Sequence, residues 1–279
     1  MLEPVEDRRS GTRLEVVVPT FNEERRIGNL LRYYGSDYDI VLLDGGSRDG
    51  TLALASAAGA TVFRRLGEAN GDQYVVYYVN QITRSGLCFY LCADQFIERT
   101  QLARVEHELR SGAAAVLCDK AEWVYGRRMR TFNHTEAHGF RKGCAHFDPD
   151  NLHEGLRVAP EAVVHICPRR YELHHLHLWS VRDQFGKIGL YNEAEVGSFR
   201  RQGRAGWRFF RRYVASLIGF PLAKMWREWG IRPSLALYWI LRDLAELSIA
   251  GMSWLEQAHL MGPEEQLARY ARFYHEHQD

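Results

Sequence analysis

The 279-residue chain is 46% hydrophobic and 25% charged, which excludes a disordered or fibrous protein and suits one large α/β domain with an appendage, or two small domains. Its 36 basic and 35 acidic residues leave a formal net charge of +1, too weak a field to point to nucleic acid. Five scattered cysteines (Cys88, Cys92, Cys118, Cys144 and Cys167) argue against a secreted disulfide framework. Residues 1–13 lack the apolar core of a signal peptide, and no uncharged apolar run reaches the roughly 18 residues of a membrane span. A cytoplasmic protein, soluble or peripherally attached, is expected.

In chain order, residues 14–18 (Leu-Glu-Val-Val-Val) read as a buried parallel strand closed at Pro19. Residues 23–34 carry Ile27, Leu30 and Leu31 at helical spacing. Residues 40–43 form a second strand, ended by the turn-rich Asp44-Gly45-Gly46-Ser47-Arg48-Asp49-Gly50-Thr51. An Ala-rich helix over 52–58 and a short strand over 61–63 follow. A helix over 74–84 leads to a strongly apolar strand at 87–92, where Cys88 and Cys92 serve as small hydrophobes. Residues 100–111 are helical and 113–118 a strand. This alternation implies a parallel sheet covered on both faces, with ligands bound outside the carboxyl ends of its strands. From 122 to 170 the pattern breaks into polar, His-rich and Gly-rich sequence, read as loops with a few strands. A helical region is expected from about Trp179.

Three loops would meet at the strand ends. They are Val18-Pro19-Thr20-Phe21-Asn22-Glu23-Glu24, residues 44–51, and Leu91-Cys92-Ala93-Asp94-Gln95. Asp44 can accept a base N–H or bind ribose hydroxyls, Thr20 and Asn22 offer short polar groups, and Gly45, Gly46 and Gly50 allow close backbone approach. Ser47 and Asp49 tie the turn, and for Asp49 and Thr51 turn formation and helix capping are an equal reading.

In this order and spacing the three loops resemble the family 2 glycosyltransferases of the GT-A fold. The resemblance implies an α/β, mostly parallel sheet with helices on both faces over residues 13–200, and a C-terminal helical extension over 201–279. The nucleotide-binding half would be 13–120 and the acceptor-side half 121–200. It implies a UDP-, GDP- or TDP-sugar donor contacted by Pro19, Thr20, Asn22, Glu23, Asp44, Gly46, Ser47, Gln73, Cys92, Ala93 and Arg141. A divalent cation, Mg²⁺ or Mn²⁺, would sit on the donor diphosphate. The family's Asp-x-Asp motif falls on Cys92 and Asp94, so only the second carboxylate remains. The phosphates themselves supply further oxygen ligands.

Gly139-Phe140-Arg141-Lys142-Gly143 and Leu152-His153-Glu154 further resemble the heptose and glucose transferases of bacterial lipopolysaccharide cores. There a later histidine precedes a Lys-x-x-x-Tyr helix, here Lys187 and Tyr191, which points to His175, or His177 one strand period on, beside Asp94 in the metal shell. By the same resemblance Glu154 is the base that takes the acceptor proton, with Asp148 and Asp150 as rivals, or else Glu154 is an ordinary surface carboxylate. The acceptor would be a saccharide, a lipid-linked compound or a small molecule. Residues 207–260 interleave aromatics such as Trp207, Trp226 and Trp239 with arginines, which suits either a membrane surface or a second subunit. Cys92 is the best support for a rival reading, a catalytically inactive sugar-nucleotide-binding or scaffold protein.

Overall fold

The computed structural model of the chain describes residues 1–67, 71–124, 127–147 and 156–178. Glu154, Asp148 and Asp150, the extension over 201–279 with its aromatic and arginine pattern, and the Lys187–Tyr191 helix lie outside the described residues.

The first half follows the apolar runs. Strand β1 (Leu2–Glu6) precedes β2 (Glu15–Thr20), helix α1 (Glu24–Tyr34) and β3 (Asp39–Asp44). Helix α2 (Thr51–Ala57), β4 (Thr61–Arg65) and α3 (Gly71–Tyr77) come next, and α3 runs into a π-helical turn over Tyr78–Ile82. Strands β5 (Leu87–Tyr90) and β6 (Gln95–Phe96) and helix α4 (Arg99–Arg110) complete this half. β2 pairs in parallel with β3 and β5, and β3 with β4. Successive side chains of a strand point to opposite faces. Val16, Val18, Ile40 and Leu42 therefore pack under α1, α2 and α4, with Ile27, Leu31, Ala55 and Leu102. Val17, Val41 and Leu43 face the other way, against Tyr74, Val75 and Tyr78 of the α3 segment.

The second half carries longer strands than the loops with a few strands expected over 122–170. Strand β7 (Ala115–Val124) pairs antiparallel with the fifteen-residue β8 (Arg127–Arg141), and β11 (Ile166–Leu178) adds in parallel to β7. A short ladder of β9 (Ala145–His146) and β10 (Arg157–Val158) and a 3₁₀ turn over Pro160–His165 lie between β8 and β11. The strand period is hidden there because polar pairs hold the ladder. Thr135 Oγ1 donates to Asp119 Oδ1 across it (2.6 Å), and Lys120 Nζ to Glu136 Oε2 (3.1 Å). The nine strands run β1-β4-β3-β2-β5-β8-β7-β11-β6. The sheet is thus mixed, parallel from β4 through β3 and β2 to β5, with β1 antiparallel at its edge and the rest joined through antiparallel β5–β8. β1 was not expected from the sequence either. It is an edge strand containing Pro4, a residue that edges tolerate, and only Leu2 is buried.

Buried Tyr34, at the end of α1, fixes the loop that follows β5. Its hydroxyl donates to the Ile97 carbonyl (2.7 Å) and accepts from the Ile97 N–H (3.0 Å). Tyr34→Phe leaves both backbone groups buried without this partner. A loss of about 1–3 kcal/mol in unfolding free energy is expected, measured by urea denaturation. Unchanged stability would mean that the Asp94 loop does not depend on α1.

Candidate active site at the strand ends

The loops after β2 and β3 are stitched to each other. Asn22 adopts a left-handed φ of 57°, a conformation that asparagine tolerates better than most residues. Its N–H donates to Ser47 Oγ (2.9 Å), and its Oδ1 accepts from the Arg48 N–H (2.8 Å). The Glu23 N–H donates to Thr51 Oγ1 (2.7 Å), the Glu24 N–H to Asp49 Oδ2 (3.1 Å), and the Gly50 N–H to Glu24 Oε2 (2.8 Å). Asp49 also accepts from the Thr51 N–H and hydroxyl. Burial acts against its charge, but these hydrogen bonds outweigh it and hold its carboxyl below the usual range. Asp49 and Thr51 therefore tie the turn and join it to the start of α1.

Asp44 is only 2% exposed. It accepts from the Gly46 N–H (2.8 Å), from the Ser47 N–H (3.1 Å) and from the Ser47 hydroxyl (2.5 Å). Gly45 is tight, since a Cβ there would stand 1.9 Å from Arg65 Nη2, which donates to the Thr20 carbonyl (3.0 Å). Thr20 is buried beside Pro19, and its hydroxyl has no hydrogen-bond partner among the described residues. Gln73 lies in the first turn of α3, whose Gly71 abuts Pro19.

The third loop carries the charges. Gln95 Oε1 accepts from the Cys92 N–H (2.9 Å), and the Gln95 N–H donates to the Cys92 carbonyl (3.0 Å). That closed turn presents Ala93 and Asp94. The Asp94 side chain, 10% exposed, has Oδ2 3.4 Å from Arg26 Nη1 and 3.6 Å from His175 Nε2. Arg26 in turn donates to both Glu23 oxygens, at 2.6 and 3.1 Å. His175 Nδ1 lies 2.9 Å from Glu122 Oε2 and 3.0 Å from Oε1. The β7–β11 register sets Glu122 beside His175, and β11 also fixes Asp94 through the Leu176 N–H to Asp94 carbonyl bond (2.7 Å). A cavity of about 690 Å³ opens along this edge, lined among others by Arg25, Arg26, Tyr33, Asp94, Arg99 and Trp123.

Cys92 contributes a thiol. Burial, and then the Asp94 charge, push its pKa up to about 12, so at neutral pH it is not the thiolate that ligates metals. Its Sγ sits 3.2 Å from the Tyr90 hydroxyl, which donates to Asp72 Oδ1 (2.9 Å).

Asp94 Oδ2 and His175 Nε2 fit one small divalent cation. Two ligands each about 2.1 Å from an ion stand about 3.0 Å apart at a right angle and about 3.4 Å apart tetrahedrally, so the 3.6 Å pair needs to close only slightly. Among the described residues no group of three or more His, Cys, Asp or Glu side chains could hold an ion. The remaining ligands of a cation there would come from beyond these described side chains. The strand carries His177, but its side chain is outside the described residues, as is Glu154.

Arg141 stands away from this edge. It pairs with Leu87 at the start of β5, and its Nη1 donates to the Gly112 carbonyl (3.4 Å). It therefore stands at the amino end of a strand whose carboxyl end leads to Asp94. Antiparallel β8 enters beside Tyr90 and leaves at the far edge. The sequence did not single out Phe21, a 48%-exposed ring at the tip of the first loop, nor Arg26, Arg65 and Glu122. Only Arg26 carried a local signal, its i,i+3 spacing from Glu23.

Residues 15–159, just over half of the chain, match the family described as Glycosyl transferase family 2. The chain belongs to glycosyl transferase family 2. Its α/β architecture is that of the family's GT-A fold. It is 30% identical over 107 residues to a glycosyltransferase, AglJ, from Haloferax volcanii, a match that covers 38% of this chain and 35% of that protein. The chain thus spans about a third of the length of that relative. It is also similar to glucosyl-3-phosphoglycerate synthase from Mycobacterium tuberculosis. The structure with phosphoglyceric acid gives a TM-score of 0.34 at 20% identity, over 41% of this chain and 45% of that one. The complex with Mn²⁺, uridine-diphosphate-glucose and phosphoglyceric acid gives 0.34 at 20%, over 40% and 45%.

The clamp on His175 in this family 2 chain has a measurable consequence. Burial lowers its pKa, but Asp94 and then Glu122 more than reverse this and raise it from 6.5 to about 9. Without added metal, NMR of the ring should therefore show His175 protonated at pH 7.5 and titrating near 9. Its contribution to stability should be full below pH 6.5 and lost as pH rises through about 9. A midpoint near 6.5 would show that the two carboxylates do not hold the ring.

Proposed function

We propose that the chain is a nucleotide-sugar-dependent glycosyltransferase that moves a sugar from a nucleoside-diphosphate donor to a hydroxyl acceptor, in one displacement that inverts the anomeric centre. The observation that carries this reading is the Asp94–His175 pair, placed at the carboxyl ends of parallel strands beside two stitched, glycine-bearing loops. That is where an α/β sheet binds a ligand. It also answers the best support for an inactive chain. Cys92 removes one carboxylate of the expected metal motif, yet Asp94 keeps a second metal-capable partner in His175.

In this reading Asp94 and His175 hold a divalent cation, Mg²⁺ or Mn²⁺. When bound, the cation supplies charge stabilisation to the departing diphosphate. Phe21 offers its exposed face to the base, and the turn built on Asp44 offers polar groups at the strand end. Arg26, already turned toward Asp94, orients its guanidinium to the same anionic region. Glu154 takes the proton of the acceptor hydroxyl as it attacks. The acceptor is a hydroxyl on a glycan, a lipid-linked compound or a small molecule.

Calorimetry with UDP, GDP and TDP, each with and without Mn²⁺, tests the donor site. At least one nucleotide should bind more tightly with Mn²⁺. Asp94→Asn should abolish that increment, whereas Asp44→Ala should weaken binding in both conditions. A chain that binds none of them, or an Asp94→Asn variant with the full increment, would overturn the reading.

With a donor and acceptor in hand, Glu154→Gln should lower single-turnover rates by ~10²–10⁴-fold while donor affinity stays nearly constant, because the loss belongs to the transition state. The same rates in Asp148→Asn and Asp150→Asn decide between neighbours. Wild-type turnover in Glu154→Gln beside a dead Asp variant would move the base a few residues earlier.

A further inference from the structure

His175 has two ring nitrogens and can present only one to a cation. A neutral imidazole carries a hydrogen on one nitrogen and a lone pair on the other, and the partner of the protonated nitrogen selects the tautomer. In this chain the Nδ1 side is occupied by both oxygens of Glu122, at 2.9 and 3.0 Å, while Nε2 faces Asp94 Oδ2 at 3.6 Å. Glu122 is only 7% exposed, and it does not reach His175 by a flexible excursion. The two residues are direct neighbours in the parallel β7–β11 register, fixed on both sides by pairs from Leu117↔Arg170 to Trp123↔Leu176.

From this geometry we infer that Glu122 is a positioning residue for metal binding. It holds the Nδ1–H of His175, so that the Nε2 lone pair is delivered to a cation resting on Asp94. The inference rests on the metal reading proposed above. Glu122 itself touches neither cation nor donor. A carboxylate behind a metal-binding histidine fixes ring orientation and raises ligand basicity, and its loss typically weakens metal affinity ~10–100-fold.

The register also gives a reason for a carboxylate to be buried here. A backbone carbonyl could hold the same proton, but the β7 carbonyls that face β11 are committed to that ladder. A side chain on the adjacent strand is the group that can reach the ring from behind.

The test is Mn²⁺ affinity of the full chain in the presence of UDP, read from the electron paramagnetic resonance signal of free Mn²⁺. Melting temperature and metal-free UDP affinity are measured alongside. Glu122→Ala should weaken Mn²⁺ binding about 10–100-fold while metal-free UDP binding stays at the wild-type value. Glu122→Gln, whose Oε1 still accepts the Nδ1 proton, should recover most of that loss, which a merely structural role would not predict. In a His175→Ala background, Glu122→Ala should have no further effect on Mn²⁺. Wild-type affinity in Glu122→Ala, or equal weakening by Ala and Gln, overturns the inference and leaves the metal site standing. Wild-type chain that binds UDP but not Mn²⁺ overturns the metal reading, and this inference with it. Should Glu122→Ala fail to fold, Glu122→Asp carries the test, since it withdraws the carboxylate by one methylene. Weaker Mn²⁺ binding is then expected, and unchanged binding overturns the proposal.

Discussion

A largely buried carboxylate has to be matched by positive charge or hydrogen bonds, because an uncompensated one costs several kcal/mol. Much of the described site follows from that requirement at Asp94. Arg26 approaches it from α1 and His175 from β11, and each of these partners is met from behind, by Glu23 and Glu122 respectively. The result is a line of alternating charge running from the first turn of α1 across the loop after β5 to β11 and β7. It ties α1 and the loop after β5 to strands β11 and β7. Were β11 shorter by four residues, Asp94 would lose His175.

The replacement of an expected carboxylate by Cys92 fits the same electrostatics. The patch beneath the loop already holds Asp72, whose pKa is raised by burial, and Asp94 stands two residues on. A third carboxylate at position 92 would add like charge beside Tyr90 and Asp72. A thiol packs there and meets the Tyr90 hydroxyl without that repulsion. Asp72, reached through Tyr90, keeps an acidic group in the region while leaving the outward-facing position to Asp94 alone.

The first half of the fold was legible because its strands are short apolar runs ended by Pro, Gly or Asp, and its helices carry their apolar residues at helical spacing. Asp94 and His175 were legible as a pair only through family resemblance, since nothing local in Leu173-His174-His175-Leu176 says which ring turns inward. The structure separates them. His174 accepts from Trp123 Nε1 (3.1 Å) and stacks on Phe96, while His175 faces Asp94. Strands β7 and β8 were illegible as a pair because Lys120–Glu136 and Asp119–Thr135 replace the apolar alternation that marks a strand. Glu122 carried no signal, its partner lying 53 residues away on a neighbouring strand. The position of Arg141, opposite Leu87, was illegible for a related reason. A motif fixes distance along the chain, but only the direction of β8 decides which end of the sheet receives it.

The stitched loops change what the polar residues at positions 20–51 can do. Asn22, Ser47, Asp49 and Thr51 spend hydrogen bonds on one another, so they act first as a scaffold. Asp44 is the sharpest case. A carboxylate offers about four lone-pair sites, and the Gly46 N–H, the Ser47 N–H and the Ser47 hydroxyl already use its two oxygens. A ligand meeting this turn would therefore find at most a small remaining capacity on Asp44, together with the backbone and the exposed ring of Phe21. Rigidity has a use here, because groups ordered before a ligand arrives lose less entropy on binding it. Discrimination between bases would then come from the fixed shape of the paired loops more than from any single side chain, and the charged work would fall to the Asp94 end of the cleft.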